Sequence, residues 1–203
     1  MSINSLVNIH TIIPSSEIYG PGVRWVLWTQ GCSLGCKGCW NTETWNPDNG
    51  KLLPLIELKK SIDDADGVEG ITLLGGEPLQ QASVMLELIR YAKGKGLSVM
   101  LYTGYYEKEF DETMKQCFEL SDLVIQGRYV EEKRDPGLLW RGSTNQIIES
   151  PTGFYDVEQF EEAQEVEIHI DHDSGQVTVT GYPDADIIKM VEELSNSKMS
   201  FKI

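Results

Sequence analysis

Three cysteines, Cys32, Cys36 and Cys39, fall within eight residues, while Cys117 stands alone. Disulfides within so short a span would close loops of a few residues at little entropic gain, so the spacing reads as a metal-ligand set in a reducing compartment. Soft thiolates select zinc, copper or an iron-sulfur cluster. Zinc and a cubane cluster both ordinarily take four protein ligands. Only three are local here, and His10, His169, His172 and Cys117 lie far off in the sequence. The fourth place is therefore read as open, which on a 4Fe-4S cluster leaves one iron able to bind a substrate or cofactor directly. A structural zinc knuckle is the alternative. Gly31, Gly35 and Gly38 let the backbone fold tightly around something small.

Other candidates are weaker alone. Gly75-Gly76-Glu77-Pro78 closes an apolar run and reads by itself as a strand-to-helix turn. Arg128, Arg134 and Arg141 stand in one long segment of an acidic chain, suited to gripping a carboxylate or simply solvated. His169, Asp171, His172 and Asp173 could hold a metal, but alternation places His169 and Asp171 on the polar face of a hairpin. Cys117 reads as a small buried hydrophobe in a helix.

Elements that could position these residues follow from the apolar pattern. Residues 23–28 are rich in branched and aromatic side chains and predict a strand running into the cysteine loop. Apolar residues at Leu53, Leu55, Ile56, Leu58 and Ile62 predict a helix, residues 70–74 a strand, 80–92 a helix, 97–102 a strand, 107–120 a helix, and 123–126 and 146–148 further strands. Such alternation implies parallel pairing, in an open sheet or an incomplete barrel, with the chemistry on loops at the strand C-terminal ends. Residues 166–180 alternate around Asp173-Ser174-Gly175 as a half-exposed hairpin, and Asp184 caps a final helix to about Ser195.

The 203 residues suffice for one domain with an appendage. Seventeen basic against 32 acidic side chains give a net charge of -15, which excludes nucleic acid and anionic membranes as default partners. No run approaches the roughly 18 apolar residues of a membrane span. The first residues lack the pattern of an export signal, so the cytoplasm is the expected location.

Taken in order, C-x3-C-x2-C after one strand and Gly-Gly-Glu after the next resemble the radical S-adenosylmethionine (SAM) superfamily. Within it, Gly20-Pro21-Gly22, Gly31-Cys32, Gly38-Cys39-Trp40-Asn41, Tyr102-Thr103-Gly104-Tyr105, Gly127-Arg128-Tyr129 and Trp140-Arg141-Gly142-Ser143-Thr144-Asn145-Gln146 resemble the glycyl-radical enzyme activases of anaerobic ribonucleotide reductases. The likeness spans about residues 8–148. It implies an incomplete parallel (β/α) barrel as a radical SAM core over residues 1–150, with residues 151–203 as a hairpin-helix extension.

The resemblance further implies that Cys32, Cys36 and Cys39 hold three irons of a 4Fe-4S cluster and that SAM chelates the fourth through its amino and carboxylate groups. Gly75, Gly76 and Glu77 would receive the methionine amino group. Gly38, Cys39 and Trp40 would line the adenosine side, and Thr103 and Gly104 would complete the pocket. One electron passed from the cluster to the sulfonium would split SAM into methionine and a 5'-deoxyadenosyl radical, which takes a hydrogen atom from a glycine α-carbon of the reductase. Flavodoxin or ferredoxin would supply the electron. Another glycyl-radical enzyme, a peptide or a small molecule is an alternative target, and a non-enzymatic electron-transfer or zinc module a more distant one. Three positions depart from the pattern: Gly38 where the superfamily often has an aromatic residue, though these activases share the glycine; Lys37 where the activases commonly have proline; and Gln126 where they have aspartate.

Overall fold

A computed structural model describes residues 5–160, 166–170, 177–181, 189 and 199–202. The chain runs β1 (Leu6–Ser16), β2 (Arg24–Thr29), β3 (Lys51–Pro54), α1 (Leu55–Asp63), β4 (Gly70–Gly75), α2 (Ala82–Gly94), β5 (Ser98–Thr103), α3 (Glu112–Leu120), β6 (Leu123–Gln126) and β7 (Ile147–Glu149). These strands form one sheet in the order β3-β1-β2-β4-β5-β6-β7. The central four, β2, β4, β5 and β6, are parallel. The sheet does not close, since β3 and β7 are its edges.

The flanking strands differ from the parallel pairing that the alternation implies. β1 lies antiparallel to β2, β3 antiparallel to β1, and β7 antiparallel to β6. Connection chemistry explains this. A parallel return needs a crossover of about a dozen residues or more, usually helical. Residues 17–23 between β1 and β2 are too few, and the segment from β6 to β7 contains no α-helix. The helix expected over 107–120 is also two pieces. A 3-10 turn (Glu107–Glu109) ends in extended chain at Phe110, and α3 restarts where the Asp111 side chain accepts from the N–H groups of Thr113 and Met114 at 2.8 Å each.

Alternation along the parallel strands sorts the core into two faces. Trp25, Leu27, Ile71, Leu73, Val99, Leu101 and Val124 pack outward against Leu58 and Ile62 of α1, Met85, Leu88 and Ile89 of α2, and Cys117 of α3. Strand register arranges the inward residues in rows. Arg24, Gly70 and Ser98 lie at the bottom, Val26, Thr72, Met100 and Leu123 in the middle, and Trp28 beside Leu74 with Tyr102 beside Ile125 at the top.

The bottom row is closed by a fully buried arginine. Arg24 Nε donates to Thr72 Oγ1 (2.8 Å), Nη1 to Ser98 Oγ (2.9 Å) and Pro21 O (3.1 Å), and Nη2 to Ile71 O (2.5 Å) and Ser98 O (3.2 Å). All five guanidinium hydrogens are thereby used.

Residues 151–160 continue over this end. Tyr155 donates to Ser98 Oγ (2.9 Å), Thr152 Oγ1 to Asp122 Oδ1 (2.8 Å), and Phe160 meets Trp140 edge-on at 5.0 Å. Beyond them β8 (Val166–Ile170) and β9 (Val177–Gly181) form the antiparallel pair expected there. An unanticipated strand β10 (Met199–Lys202) joins β9 in parallel. Ser16 Oγ donates to Glu167 Oε2 at 2.7 Å, linking β8 to β1. Of the final helix expected over residues 184–195, Lys189 is helical and the rest lies outside the described residues, as do Asp171, His172, Asp173 and the hairpin turn.

Candidate functional site

The three cysteines sit where β2 ends, on a loop fastened at its base. Gly31 N–H donates to Thr44 O (2.8 Å) and Cys32 N–H to Trp45 O (3.1 Å), while Gln30 Nε2 spans Glu43 O and Asn46 O at 2.8 Å each. Gln80 anchors the near side, accepting from Ser33 N–H (3.2 Å) and donating to Ser33 Oγ (2.7 Å) and Tyr105 OH (3.1 Å).

The turn after β4 is clipped to the same loop. Gly76 N–H donates to Thr29 O (2.8 Å) and Glu77 N–H to Gly31 O (2.9 Å). A Cβ at Gly76 would lie 2.4 Å from Gly31 O, so only glycine admits this approach. A Cβ at Gly104 would strike Leu34 Cδ1 at 2.3 Å, so the loop after β5 is fitted to the cysteine loop as well.

Glu77 is buried. Its Oε1 accepts from Leu79 N–H and Thr103 Oγ1, both at 2.9 Å, and its Oε2 from Gly104 N–H at 2.7 Å. Burial pushes its carboxyl up to about 7 despite these three donors. The side chain thus ties the end of β4 to the end of β5.

Together these loops bound one cleft at the C-terminal ends of the parallel strands. Cys32, Cys36, Cys39, Trp40, Gly75, Gly76, Glu77, Thr103 and Gly104 all line it. Gly38, expected with them, instead backs onto Glu131, whose carboxyl carbon would lie 2.9 Å from a Cβ there. The top row, Trp28, Leu74, Tyr102 and Ile125, forms the floor, and Leu138, Leu139 and Trp140 wall one side.

Residues 127–146 clasp the cysteine loop from outside. Lys37 Nζ pairs with Glu131 (3.0 Å) and Glu132 (3.5 Å), and the Arg134 guanidinium lies 4.4 Å from the centre of the Trp40 ring. The three loop arginines therefore do not converge. Arg128 makes a two-pronged pair with Glu109 at 2.8 Å each, holding that carboxyl down at about 2, Arg134 covers Trp40, and Arg141 lines a separate pocket.

All four cysteines are free. Burial raises the Cys32 and Cys36 thiols, so as free groups they are poor nucleophiles, and metal binding would be what deprotonates them. Cys117, on the opposite face of the sheet, is fully buried with its thiol pushed up to about 12, as its reading as a hydrophobe requires. Among the described residues no three His, Cys, Asp or Glu side chains converge as one shared metal ion would demand.

Trp28 and Asn41, two residues that line the cleft, each carry a buried polar atom, Nε1 and Oδ1, with no hydrogen-bond partner among the described residues. Asn41, Tyr129 and Trp140 stand in the segments that carry the family resemblance, without a role of their own there, and Trp28 is legible only as one residue of an apolar strand.

A sheet whose parallel strands end in a three-thiol loop and a glycine turn around a shared cleft defines a protein built to hold a thiolate-bound cofactor. Residues 18–149 match the family described as a 4Fe-4S single cluster domain. The anaerobic ribonucleoside-triphosphate reductase-activating protein of Vibrio cholerae is 34% identical over 150 residues, 70% of this chain and 97% of that one. Its counterpart in Escherichia coli K12 is 31% identical with the same coverage. That of Enterobacteria phage T4 is 34% identical over 152 residues, 72% of this chain and 96% of its own. The chain belongs to the family of the anaerobic ribonucleoside-triphosphate reductase-activating proteins, within the 4Fe-4S single-cluster domains. A solved structure of QueE from Escherichia coli overlaps 60% of this chain and 70% of its own at a TM-score of 0.45 and 15% identity.

Proposed function

We propose that Cys32, Cys36 and Cys39 hold a 4Fe-4S cluster with one iron left to SAM, and that the protein installs a glycyl radical on an anaerobic ribonucleotide reductase. The observation that carries this reading is the placement of three thiols and the Gly75-Gly76 turn across one cleft, with Cys117 behind the sheet. The donor set fits a cluster better than zinc. At about 2.3 Å per Zn–S bond, three thiolates must crowd around one point, whereas a cubane gives each thiolate its own iron.

When bound, the cluster and SAM would supply a one-electron reductive cleavage and a hydrogen-abstracting radical. The chain supplies placement. Gly75 and Gly76 line the cleft, and their lack of side chains lets the turn pack directly against Thr29 and Gly31, which places it beside the cysteine loop where a small zwitterion would bind. Asn41 Oδ1 offers a buried acceptor to an amino group of the cofactor, and Trp40, backed by Arg134, offers a flat face. Glu77 holds Thr103 and Gly104 in place for the same pocket. Leu138, Leu139 and Trp140 keep water from the side of the cleft.

No helix among the described residues is long and apolar enough to cross a membrane. Free thiols suit a reducing cytoplasm, where a reduced flavodoxin or ferredoxin would be the electron donor. The second sheet lies outside the matched residues 18–149 and is a candidate for partner choice. Mixing the reconstituted protein, SAM, a reductant and the reductase without oxygen should produce a glycyl doublet in the electron paramagnetic resonance (EPR) spectrum. Complete SAM cleavage with no doublet on the reductase would remove that target and leave the cofactor assignment.

A further inference from the structure

The cleft floor contains a buried donor without a partner among the described residues. Trp28 is 2% exposed, and its indole N–H is buried without a partner among the described residues. An unsatisfied buried donor costs about 1–3 kcal/mol, and such groups are rare enough to need a cause. Ile18, Tyr19, Val26 and Leu74 surround the indole with apolar surface and offer its N–H no acceptor. Tyr19 meets the indole edge-on, with ring centres 5.7 Å apart at 87°. A ring face is only a weak acceptor and does not replace an oxygen.

The surroundings define what the N–H can meet. Trp28 belongs to the row beneath the cysteine loop and the glycine turns, beside Leu74 and in the same cleft as Tyr102, Ile125 and Trp140. No Lys, Arg, Asp or His side chain lines this cleft among the described residues, and the carboxylate of Glu77 is engaged by three donors. An anionic ligand group would find no countercharge at the floor, whereas a neutral carbonyl oxygen would gain one donor and otherwise lie against apolar walls.

We infer that Trp28 is a target-binding residue, whose indole N–H donates to a main-chain carbonyl of the segment bearing the reacting glycine and seats that segment on the cleft floor. This rests on the reading under Proposed function and adds to it a residue contacting the target rather than the cofactors. It also gives the orphaned donor a role: unsatisfied in the free protein, it is satisfied when the correct chain enters, which favours a main chain able to lie flat over one carrying a bulky side chain.

The test uses the cluster-loaded protein with SAM, without oxygen, and a short capped peptide spanning the glycine of the reductase. One of the five tryptophan indole N–H resonances, identified by its absence in Trp28→Phe, should move downfield as the peptide binds. Trp28→Phe with wild-type iron content should bind the peptide about tenfold more weakly, the loss of one buried hydrogen bond. An unmoved Trp28 resonance at saturating peptide, equal affinity in the variant, or no peptide binding by a wild-type protein that cleaves SAM each overturns the inference. The resonance is read on the wild-type protein, so the inference remains testable if the variant misfolds. A wild-type protein whose cluster spectrum ignores SAM would instead sink the cofactor reading beneath it.

Discussion

The two ends of the inward face of the sheet, built from the same strands, treat polar groups in opposite ways. At the bottom, Arg24 spends all five N–H groups on Thr72, Ser98, Pro21 and Ile71, and Tyr155 closes over Ser98. At the top, Trp28 and Asn41 line a cleft with a donor and an acceptor left over. A polar group buried with its partners fastens the fold, whereas one buried without them is a cost that a ligand can relieve. The difference locates function without reference to any motif, since the saturated end explains itself and the unsaturated end does not.

Three substitutions probe that division. Cys36→Ser, at the open end, should abolish reductive SAM cleavage and lower the iron bound below the about four per chain of the cluster. Undiminished cleavage would remove Cys36 from the ligand set. Arg24→Met, at the closed end, should remove the five hydrogen bonds that Arg24 donates and cost about 3 kcal/mol. A lower urea midpoint at unchanged slope would show it, with SAM affinity of the folded protein intact. Loss of SAM binding in step with stability would mean that the two ends are not separate.

Glu77→Gln keeps only one acceptor oxygen and so loses part of the link to Leu79, Thr103 and Gly104, and it should also change the pH dependence of stability. The folded Glu77 carboxyl sits at about 7 against an ordinary 4.5, so between those values the folded state keeps a proton that the unfolded chain has released. Its contribution to stability is therefore full below pH 4.5 and declines as pH rises to 7. The variant should lose that decline when unfolding is followed at several pH values. Glu109, held at about 2 by Arg128, should act in the opposite sense, its contribution fading as pH falls from 4.5 toward 2.

Local chemistry was legible in the sequence, and long-range placement was not. The cysteine spacing and the glycine turn announce themselves within a few residues, and both line the cleft. β2 is apolar on both faces, with Trp25 and Leu27 outward and Val26 and Trp28 inward, so no alternation marks which residue meets a ligand. The break before α3 turned on Asp111 capping a new helix, a choice that competes locally with one long helix. The pairing of Lys37 with Glu131 and of Arg134 with Trp40 joins segments about ninety residues apart, which spacing cannot reveal. The close approach of Glu131 to Gly38 belongs to the same long-range pairing.

The most direct test compares the EPR spectrum of the reduced, reconstituted protein before and after SAM is added in the absence of any target. Coordination of SAM at an iron without a protein thiolate predicts a changed cluster signal, followed by release of methionine and 5'-deoxyadenosine. A signal indifferent to SAM, from a cluster with four protein ligands, would contradict the account.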